Sequence, residues 1–279
     1  MTNDWPDYEL LDFGDSRKLE RFGSWVLDRP CPGATAKPQA MNWSSATGRY
    51  DGEHWSPPAD GWAGCAIELG ELGFSLGVEP LPSGQVGVFP EQIANWRWIA
   101  RQVARAEKPL KVLNLFAYTG GSTLAAARAG AEVTHVDAAK SMVARARENA
   151  AASGLSDASI RWIVEDALKF CRREVKRGNP YDAVILDPPS YGHGPRGNQW
   201  SIQRDLLPLL KLCGEMTAVR RAFVLCTCHT SGLGPAELSA YLSDGVFGHC
   251  GRPPQSGTLY LETADGRKLA SGVFARWPA

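Results

Sequence analysis

The sequence has 279 residues, of which 44% are hydrophobic and 22% are charged. This balance is typical of a globular protein and excludes a largely disordered chain, because there is enough apolar surface to form a core. No run approaches the ~18 apolar residues of a membrane span, and the polar, acidic first residues do not resemble a secretory leader, so we expect a cytoplasmic protein.

The cysteines and histidines form no disulfide or metal-binding pattern. The seven cysteines are scattered with no Cys-x-x-Cys pair, and the five histidines lie far apart. Reduced thiols fit a cytosolic enzyme. We therefore expect no metal, and we expect a structural role for Cys31, Cys65, Cys171, Cys213 and Cys250.

The net charge is zero, but the two parts of the chain differ in sign. Residues 1–100 carry 7 Lys/Arg and 14 Asp/Glu, whereas residues 101–279 carry 23 and 16. A polyanion would meet the second part, through local patches rather than a global field. A positive excess of this size is also unremarkable in a protein without such a partner.

Residues 1–88 are expected to form a β-rich, acidic module. Tyr8–Phe13 and Arg21–Leu27 alternate apolar and polar residues on either side of a turn-rich stretch, which predicts a hairpin. Residues 64–90 predict further short strands. Because the acidic charge discourages broad contact with phosphates, we expect this module either to cover the active-site cleft or to mediate self-association, as in a homo-oligomer.

From residue 89 to residue 279, helix and strand signals alternate. After a first helix over Glu91–Ala106, the predicted strands are Lys111–Phe116, Glu132–Val136, Ile160–Val164, Asp182–Leu186 and Ala222–Cys226. The predicted helices between them are Ser122–Ala129, Ala138–Ser153, Ala167–Lys176 and Gln203–Arg220. A C-terminal hairpin around a Asp-Gly turn adds two strands. The alternation predicts an α/β domain with a doubly wound, mostly parallel seven-stranded sheet.

Ligands of such a sheet bind beyond the carboxyl ends of its strands, where this chain has a group of polar residues. Gly120 and Gly121 open a helix whose free N–H groups suit an anionic group. Asp137 could accept both hydroxyls of a ribose, and Asp166 could accept from an adenine amine. Taken singly, the glycines could form a plain turn and each aspartate could cap a helix. Together they fit a nucleoside with a charged tail.

These features resemble class I methyltransferases that use S-adenosylmethionine, over about residues 90–279. Leu115–Gly121, Val136–Leu155 and Asp187–Tyr191 resemble one subgroup in particular, the bacterial enzymes that modify large-subunit ribosomal RNA at cytosine C5 or at guanine. Gly87–Ala100 resembles the approach helix of that subgroup, with matches at Gln92 and Asn95 and a departure at Pro90–Glu91.

The resemblance implies a Rossmann-like methyltransferase fold, S-adenosylmethionine as the cofactor and rRNA as the substrate. Phe116 and Tyr118 stand where the common first loop of the family has glycines. By implication, Tyr118 and Gly120 flank the methionine part of the cofactor, Asp137 binds its ribose and Asp166 its adenine. The remaining implied cofactor contacts are Gln92, Phe116 and Asp187.

The loop after the fourth strand reads Asp-Pro-Pro-Ser-Tyr and is the sharpest sign of an acceptor site. Pro188 and its neighbour stiffen the chain and are expected to aim carbonyl groups into the crevice. Asp187 can accept a hydrogen bond from a target amine or ring N–H, and Tyr191 can stack on a flipped base. The basic, glycine-rich stretch that follows either grips a substrate phosphate through Arg196 or is an ordinary solvated loop.

Cys228 is expected just past the fifth strand, near the crevice. Cytosine-C5 methyltransferases use a thiolate that adds to C6 of the base, and some members of the resembled group have a cysteine in this neighbourhood. His229 could assist, although adjacent side chains on an extended segment point in opposite directions. Cysteine is also a common core residue, as expected for Cys226. Cys228 is therefore either a nucleophile or part of the core.

The leading hypothesis is an S-adenosylmethionine-dependent methyltransferase that acts on a base of rRNA. Methylation of an exocyclic amine would rely on Asp187 and Tyr191, whereas C5 methylation adds Cys228. The same cofactor could instead serve a small-molecule or protein acceptor, or the chain could bind its ligands without chemistry. A dinucleotide oxidoreductase is disfavoured, because G-x-G-x-x-G is replaced here by F-x-Y-x-G-G.

Overall fold

The computed structural model describes residues 5–39, 43–58, 62, 64–193, 199–249, 251 and 253–279. The chain divides into two compact units. The first comprises Met1–Gln92 and Tyr260–Ser271, and the second Ile93–Leu259 and Gly272–Ala279. The first unit thus includes a C-terminal segment that the sequence analysis assigned to the second.

The first unit is built from short, mostly antiparallel strands. Its strands are β1 Tyr8–Gly14, β2 Arg17–Phe22, β3 Trp25–Pro30, β4 Gly48–Tyr50, β5 Trp55–Ser56, β6 Cys65–Leu69 and β7 Phe74–Val78. The first five form one sheet in chain order, and β6 and β7 form a separate hairpin. Only β3 and β4 run parallel within the five-stranded sheet.

The N-terminal hairpin differs from the sequence prediction in where its second strand lies. The turn after β1 consists of Asp15 and Ser16 alone, with φ of 49° and 62°, a left-handed pair suited to a two-residue hairpin. Pairing with β1 resumes at once, because Arg17 lies directly opposite Gly14. The Arg17 guanidinium also donates to the carboxylate of Asp28 on β3 at 2.5 Å. The predicted strand over Arg21–Leu27 was therefore wrong: two strands meet there at a turn.

Charged side chains are buried in the first unit and satisfy one another. Glu20 is 0% exposed, and its carboxylate accepts from Lys18, Arg29 and the Tyr8 hydroxyl. Burial alone would raise the pKa of Glu20, but the two cations outweigh it and lower the pKa to about 2. Part of the acidic character of residues 1–100 is thus internal to the fold.

The second unit is built on a seven-stranded sheet with helices between its strands, and the Tyr260–Ser271 segment of that sheet's C-terminal hairpin is grouped with the first unit. The remaining strands are β8 Lys111–Leu115, β9 Glu132–Asp137, β10 Ile160–Val164, β11 Ala183–Leu186, β12 Tyr191–His193, β13 Gln199–Ser201, β14 Phe223–Cys228, β15 Gln255–Glu262 and β16 Lys268–Trp277. Seven of these strands form the sheet, in the order β10-β9-β8-β11-β14-β16-β15, and β12 and β13 pair with each other in a separate antiparallel hairpin. The first five run parallel and β16 is antiparallel to β14, which confirms the predicted fold class.

The helices are α1 Ile93–Ala104, α2 Gly121–Arg128, α3 Lys140–Ala152, α4 Ala167–Arg177, α5 Ile202–Thr217 and α6 Pro235–Leu242. Sequence analysis missed α6, which begins within a Gly- and Pro-rich stretch. Pro235 suits the first helical turn, because a proline has no N–H to leave unpaired there. No helix among the described residues is long and apolar enough to cross a bilayer.

Candidate active site

The carboxyl ends of five parallel strands carry the candidate site. The loop after β8, Asp137 at the end of β9, Asp166 after β10, the loop after β11 and the end of β14 lie at this edge. An open α/β sheet binds its ligands there, because helix N-termini and loop backbones converge on that edge.

The loop after β8 has an unusual backbone. Phe116 and Tyr118 have φ of 54° and 50°, a left-handed conformation that is rare for large side chains. The loop is held from two sides. The Tyr118 N–H donates to Asp137 at 2.8 Å, and Asn149 donates through its side-chain amide to the Thr119 carbonyl at 2.9 Å. Backbone strain of this kind is found at binding sites that must be rigid.

Gly120 and Gly121 are required by close packing rather than by a simple turn. Gly120 has a φ of 96°, and a Cβ on it would lie 3.2 Å from the Cβ of Ala146. A Cβ on Gly121 would lie 2.5 Å from the ring of Trp96. The N-terminus of α2 is therefore bare backbone, and no side chain caps it. Such a terminus offers free N–H groups to a ligand.

Asp137 is held by the backbone on both carboxylate oxygens. Its Oδ2 accepts from Tyr118 and its Oδ1 from the N–H of Ala139, both at 2.8 Å. No side chain caps α3, so the alternative of a simple helix cap does not apply to Asp137. Burial raises the pKa of this carboxyl group, and the two backbone hydrogen bonds oppose that rise.

Asp166 does cap a helix, as the alternative reading held. Its Oδ1 accepts from the backbone N–H of Lys169 at 2.8 Å, at the start of α4. Asp166 also borders a cleft of about 650 Å³ between α4, β13 and the start of α5. The other lining residues are Leu168, Lys169, Arg172, Gln199, Trp200, Arg204 and Asp205. Capping and ligand contact are compatible, because the cap occupies one oxygen.

The loop after β11 presents Asp187 and Tyr191. Asp187 is half-buried and accepts from the Thr227 hydroxyl at 2.6 Å. Tyr191 is 74% exposed at the start of β12. Pro188 is buried, whereas the carbonyl of Pro189 accepts from the Trp200 indole at 2.7 Å. The expectation that both prolines aim carbonyls into the crevice was therefore wrong for Pro189, whose carbonyl anchors the loop.

Cys228 lies elsewhere than the sequence predicts. It is the last residue of β14 rather than a residue beyond the strand, and it is 1% exposed. Its side chain belongs to the hydrophobic core of the second unit, as does that of Cys226. The Cys228 sulfur accepts from the backbone N–H of Thr230 at 3.3 Å. β14 extends two residues past the predicted end, because the pairing with β16 continues to Cys228.

The sequence analysis named three further residues. Gln92 belongs to the first unit, where it is 6% exposed and ends a short 3-10 turn. Arg196 and Cys250 lie outside the described residues. Among the residues described, no group of three or more His, Cys, Asp or Glu side chains could hold a metal ion.

Two supporting residues escaped the sequence analysis. Trp200 is 6% exposed, packs on Phe116 with ring centroids 4.8 Å apart and anchors Pro189. Asn149 is 5% exposed although it lies in a polar stretch of α3. Neither residue had a local sequence signal. Trp200 follows a glycine-rich stretch without readable periodicity, and an amide in a polar helix, such as Asn149, is usually exposed.

The residues present fit a nucleoside cofactor with a charged tail. Bare N–H groups open α2, and Asp137 offers a carboxylate fixed by two backbone donors. A side chain on Gly120 would press on Ala146, so the backbone of α2 and α3 meet closely under the loop. A hydroxyl-bearing sugar suits the carboxylate, and a polar tail suits the helix terminus.

Comparison with known proteins gives one family. The sequence profile of a family described as S-adenosylmethionine-dependent methyltransferases matches residues 63–238. The crystal structure of a SAM-dependent methyltransferase from Agrobacterium tumefaciens aligns with a TM-score of 0.91 at 36% identity, covering 99% of this chain and 91% of that one.

Curated relatives match over a shorter stretch. Ribosomal RNA large subunit methyltransferase I of Shewanella denitrificans is 35% identical over 126 residues, which are 45% of this chain and 31% of the relative. Ribosomal RNA large subunit methyltransferase K/L of Shewanella sp. (strain MR-4) is 35% identical over 117 residues, 41% of this chain and 16% of the relative. The chain thus spans less than a third of the curated relatives it matches.

Proposed function

The chain belongs to the family of S-adenosylmethionine-dependent methyltransferases, and from this membership we propose that it methylates a base of large-subunit rRNA. The Asp187–Tyr191 loop is the observation that supports a nucleobase as the acceptor. A half-buried carboxylate fixed by Thr227 lies at its start, and a tyrosine that is 74% exposed lies at its end. The carboxylate can accept a hydrogen bond from an N–H of the base, while the tyrosine ring stacks on the face of the base. The rRNA methyltransferases among the relatives support the choice of RNA.

The cofactor would be held by the strand-end residues. We assign the methionine part to the loop around Tyr118 and Gly120, the ribose to Asp137 and the adenine to the cleft beside Asp166. S-adenosylmethionine supplies a methyl group already activated on a sulfonium. The protein therefore has mainly to align an acceptor with that group and to give the acceptor a route for losing a proton.

A nucleobase can be methylated on a nitrogen or on cytosine C5, and the burial of Cys228 favours nitrogen. A ring or exocyclic N–H needs only the Asp187 carboxylate and the Tyr191 ring. Cytosine C5 additionally needs a thiolate, and Cys228 is 1% exposed in the core. An rRNA acceptor also implies that the enzyme works in the cytoplasm. Family membership leaves no support for the oxidoreductase alternative.

The direct test is transfer of a radiolabelled methyl group to unmodified rRNA, given both naked and in assembled large subunits, followed by digestion to nucleosides. We expect the label on a nitrogen-methylated base, and label on 5-methylcytosine would restore Cys228 as the nucleophile. Absence of label, in a preparation shown by calorimetry to bind S-adenosylmethionine, would contradict an RNA acceptor and favour a small molecule or a protein.

An Asp187→Asn variant tests the acceptor side of the same reaction. We expect a fall in kcat of about 10²-fold or more, with cofactor affinity nearly unchanged, because the carboxylate acts on the acceptor. Asp244→Asn, an exposed aspartate on the turn after α6, is the matched control and should behave as wild type. Equal losses of turnover and cofactor affinity would assign Asp187 to the cofactor instead.

A further inference from the structure

The end of β14 sends alternate side chains to opposite faces of the sheet. The Thr227 hydroxyl donates to Oδ1 of Asp187 at 2.6 Å, and two residues later His229 places its Nε2 3.8 Å from the same oxygen. Cys228, between them, turns its sulfur into the hydrophobic core. Sequence adjacency suggests a Cys–His pair, but the structure instead forms an Asp–His pair.

The space for this imidazole is provided by Gly272 on β16. A Cβ on Gly272 would lie 2.9 Å from Nδ1 and Cε1 of the His229 ring and 3.1 Å from the Cys228 carbonyl oxygen. The φ of Gly272 is +120°, which also favours glycine. The residue thus lacks the side chain that would displace the ring. The Nδ1–Cε1 edge of the imidazole lies where a Cβ on Gly272 would crowd it, while Nε2 faces Asp187.

Both members of the pair are accessible where an acceptor would enter. The His229 side chain is 36% exposed and that of Asp187 is 32% exposed, at the carboxyl ends of β14 and β11. The 3.8 Å between Nε2 and Oδ1 is longer than a hydrogen bond. A general base often aligns fully only after its substrate binds.

We propose that His229 is the general base of the acceptor site. The inference rests on the proposed function, because it concerns the base that this chain would methylate. Transfer exchanges a carbon–sulfur bond of the donor for a carbon–nitrogen bond and leaves one proton in excess on the acceptor nitrogen. Nε2 of the imidazole takes that proton and passes it to water, since the side chain is 36% exposed. Asp187 accepts a hydrogen bond from an N–H of the target base and stabilises the imidazolium of His229.

The test compares two histidines of the second unit in methyl transfer to unmodified rRNA. We expect His229→Gln to lower kcat by about 10²- to 10⁴-fold, the usual contribution of a general base. The KM for RNA and the affinity for S-adenosylmethionine, measured by calorimetry, should stay within about threefold. His249→Gln, an exposed histidine on the loop after α6, should leave all three quantities unchanged.

Chemical rescue separates proton transfer from a structural role. His229→Ala opens a space in which added imidazole can take the proton, so imidazole should restore part of the lost turnover. A wild-type kcat for His229→Gln, a loss of cofactor affinity as large as the loss of kcat, or the absence of rescue would each overturn the proposal. If the wild-type protein labels no rRNA, the proposed function itself fails, and the inference fails with it.

Discussion

At the scale of single residues, the left-handed aromatic pair is the least expected feature of the site. Phe116 and Tyr118 adopt a conformation that costs a residue with a side chain about 1–2 kcal/mol. Asp137 compensates at Tyr118 by accepting its N–H, and Trp200 compensates at Phe116 by packing on its ring. The resemblance identified these positions as former glycines. It did not reveal that the backbone keeps the glycine conformation with aromatic side chains in place.

Cys228 gives the prediction that belongs to this scale. Because its sulfur lies in the core, we expect Cys228→Ala to cost about 1 kcal/mol of unfolding free energy and to leave kcat nearly unchanged. Denaturant unfolding and methyl-transfer assays measure the two quantities. Cys226→Ala is the matched control, since Cys226 lies on the same strand and faces the same core. Loss of turnover in the Cys228 variant alone, with cofactor affinity intact, would indicate a catalytic thiolate.

At the scale of elements, a polar chain of side chains fastens α2 to the sheet beneath the site loop. The Asn114 amide on β8 donates to the hydroxyl of Thr123 on α2, which lies 2.9 Å from Nδ1 of His135 on β9. His135 is 0% exposed, and its ring packs on Trp162. Burial, with a smaller contribution from Arg147, lowers the pKa of His135 to about 3. The imidazole is therefore neutral in the folded state.

The depressed pKa of His135 makes stability fall in acid. In the unfolded chain His135 binds a proton as the pH falls below about 6.5, whereas in the folded chain it does so only near pH 3. The free energy of unfolding is therefore highest above pH 6.5 and decreases as the pH falls from 6.5 towards 3. We expect a loss of about 2 kcal/mol between pH 7.5 and pH 5, measured by urea unfolding. His135→Gln should flatten this dependence and His249→Gln should not. Equal slopes in both variants would contradict the assignment.

The elements of the second unit were predictable, and those of the first largely were not. β10 matches its predicted bounds, and the helices that link the parallel strands differ from theirs by a few residues, because buried strands and amphipathic helices leave strong local patterns. β2 was misplaced because its pairing with β1 begins at Arg17, opposite Gly14, inside the stretch that was predicted to be a turn. At the site, the aspartates at strand ends followed from topology. Asn149 and Trp200 act through tertiary contacts, which no local pattern encodes.

At the scale of the whole molecule, the acidic excess of residues 1–100 has a structural meaning. Asp12, Glu20, Asp28 and Glu91 are each at most 7% exposed. Asp12 accepts from Trp43 at 2.9 Å and from Arg267 at 2.7 Å, and these hydrogen bonds outweigh burial and lower its pKa. Buried, paired carboxylates contribute to the fold of the first unit rather than to a field that repels RNA.

The ion pair between Arg267 and Asp12 is predicted to stabilise the first unit. The guanidinium also lies over the Phe13 ring, 5.0 Å from its centroid. Arg267→Ala leaves a buried carboxylate without its cation, so we expect a loss of about 3 kcal/mol in urea unfolding. Lys268→Ala removes the neighbouring cation, whose pair with Glu262 is exposed and 3.9 Å long, and should cost less than ~0.5 kcal/mol. Similar losses of unfolding free energy in both variants would show that the buried Arg267–Asp12 pair stabilises the protein no more than the exposed Lys268–Glu262 pair.

The inclusion of Tyr260–Ser271 in the first unit sets an order of events during synthesis. Domains usually fold as they leave the ribosome, N-terminal first. Here Leu10 on β1 bridges Thr263, so β1 cannot complete its contacts until a segment far later in the chain has been synthesised. A nascent chain halted at residue 259 would carry an unfinished unit with Asp12 unpaired to its arginine. Such a product would be a target for chaperones and proteases, even though the parallel strands of the methyltransferase sheet had already been translated.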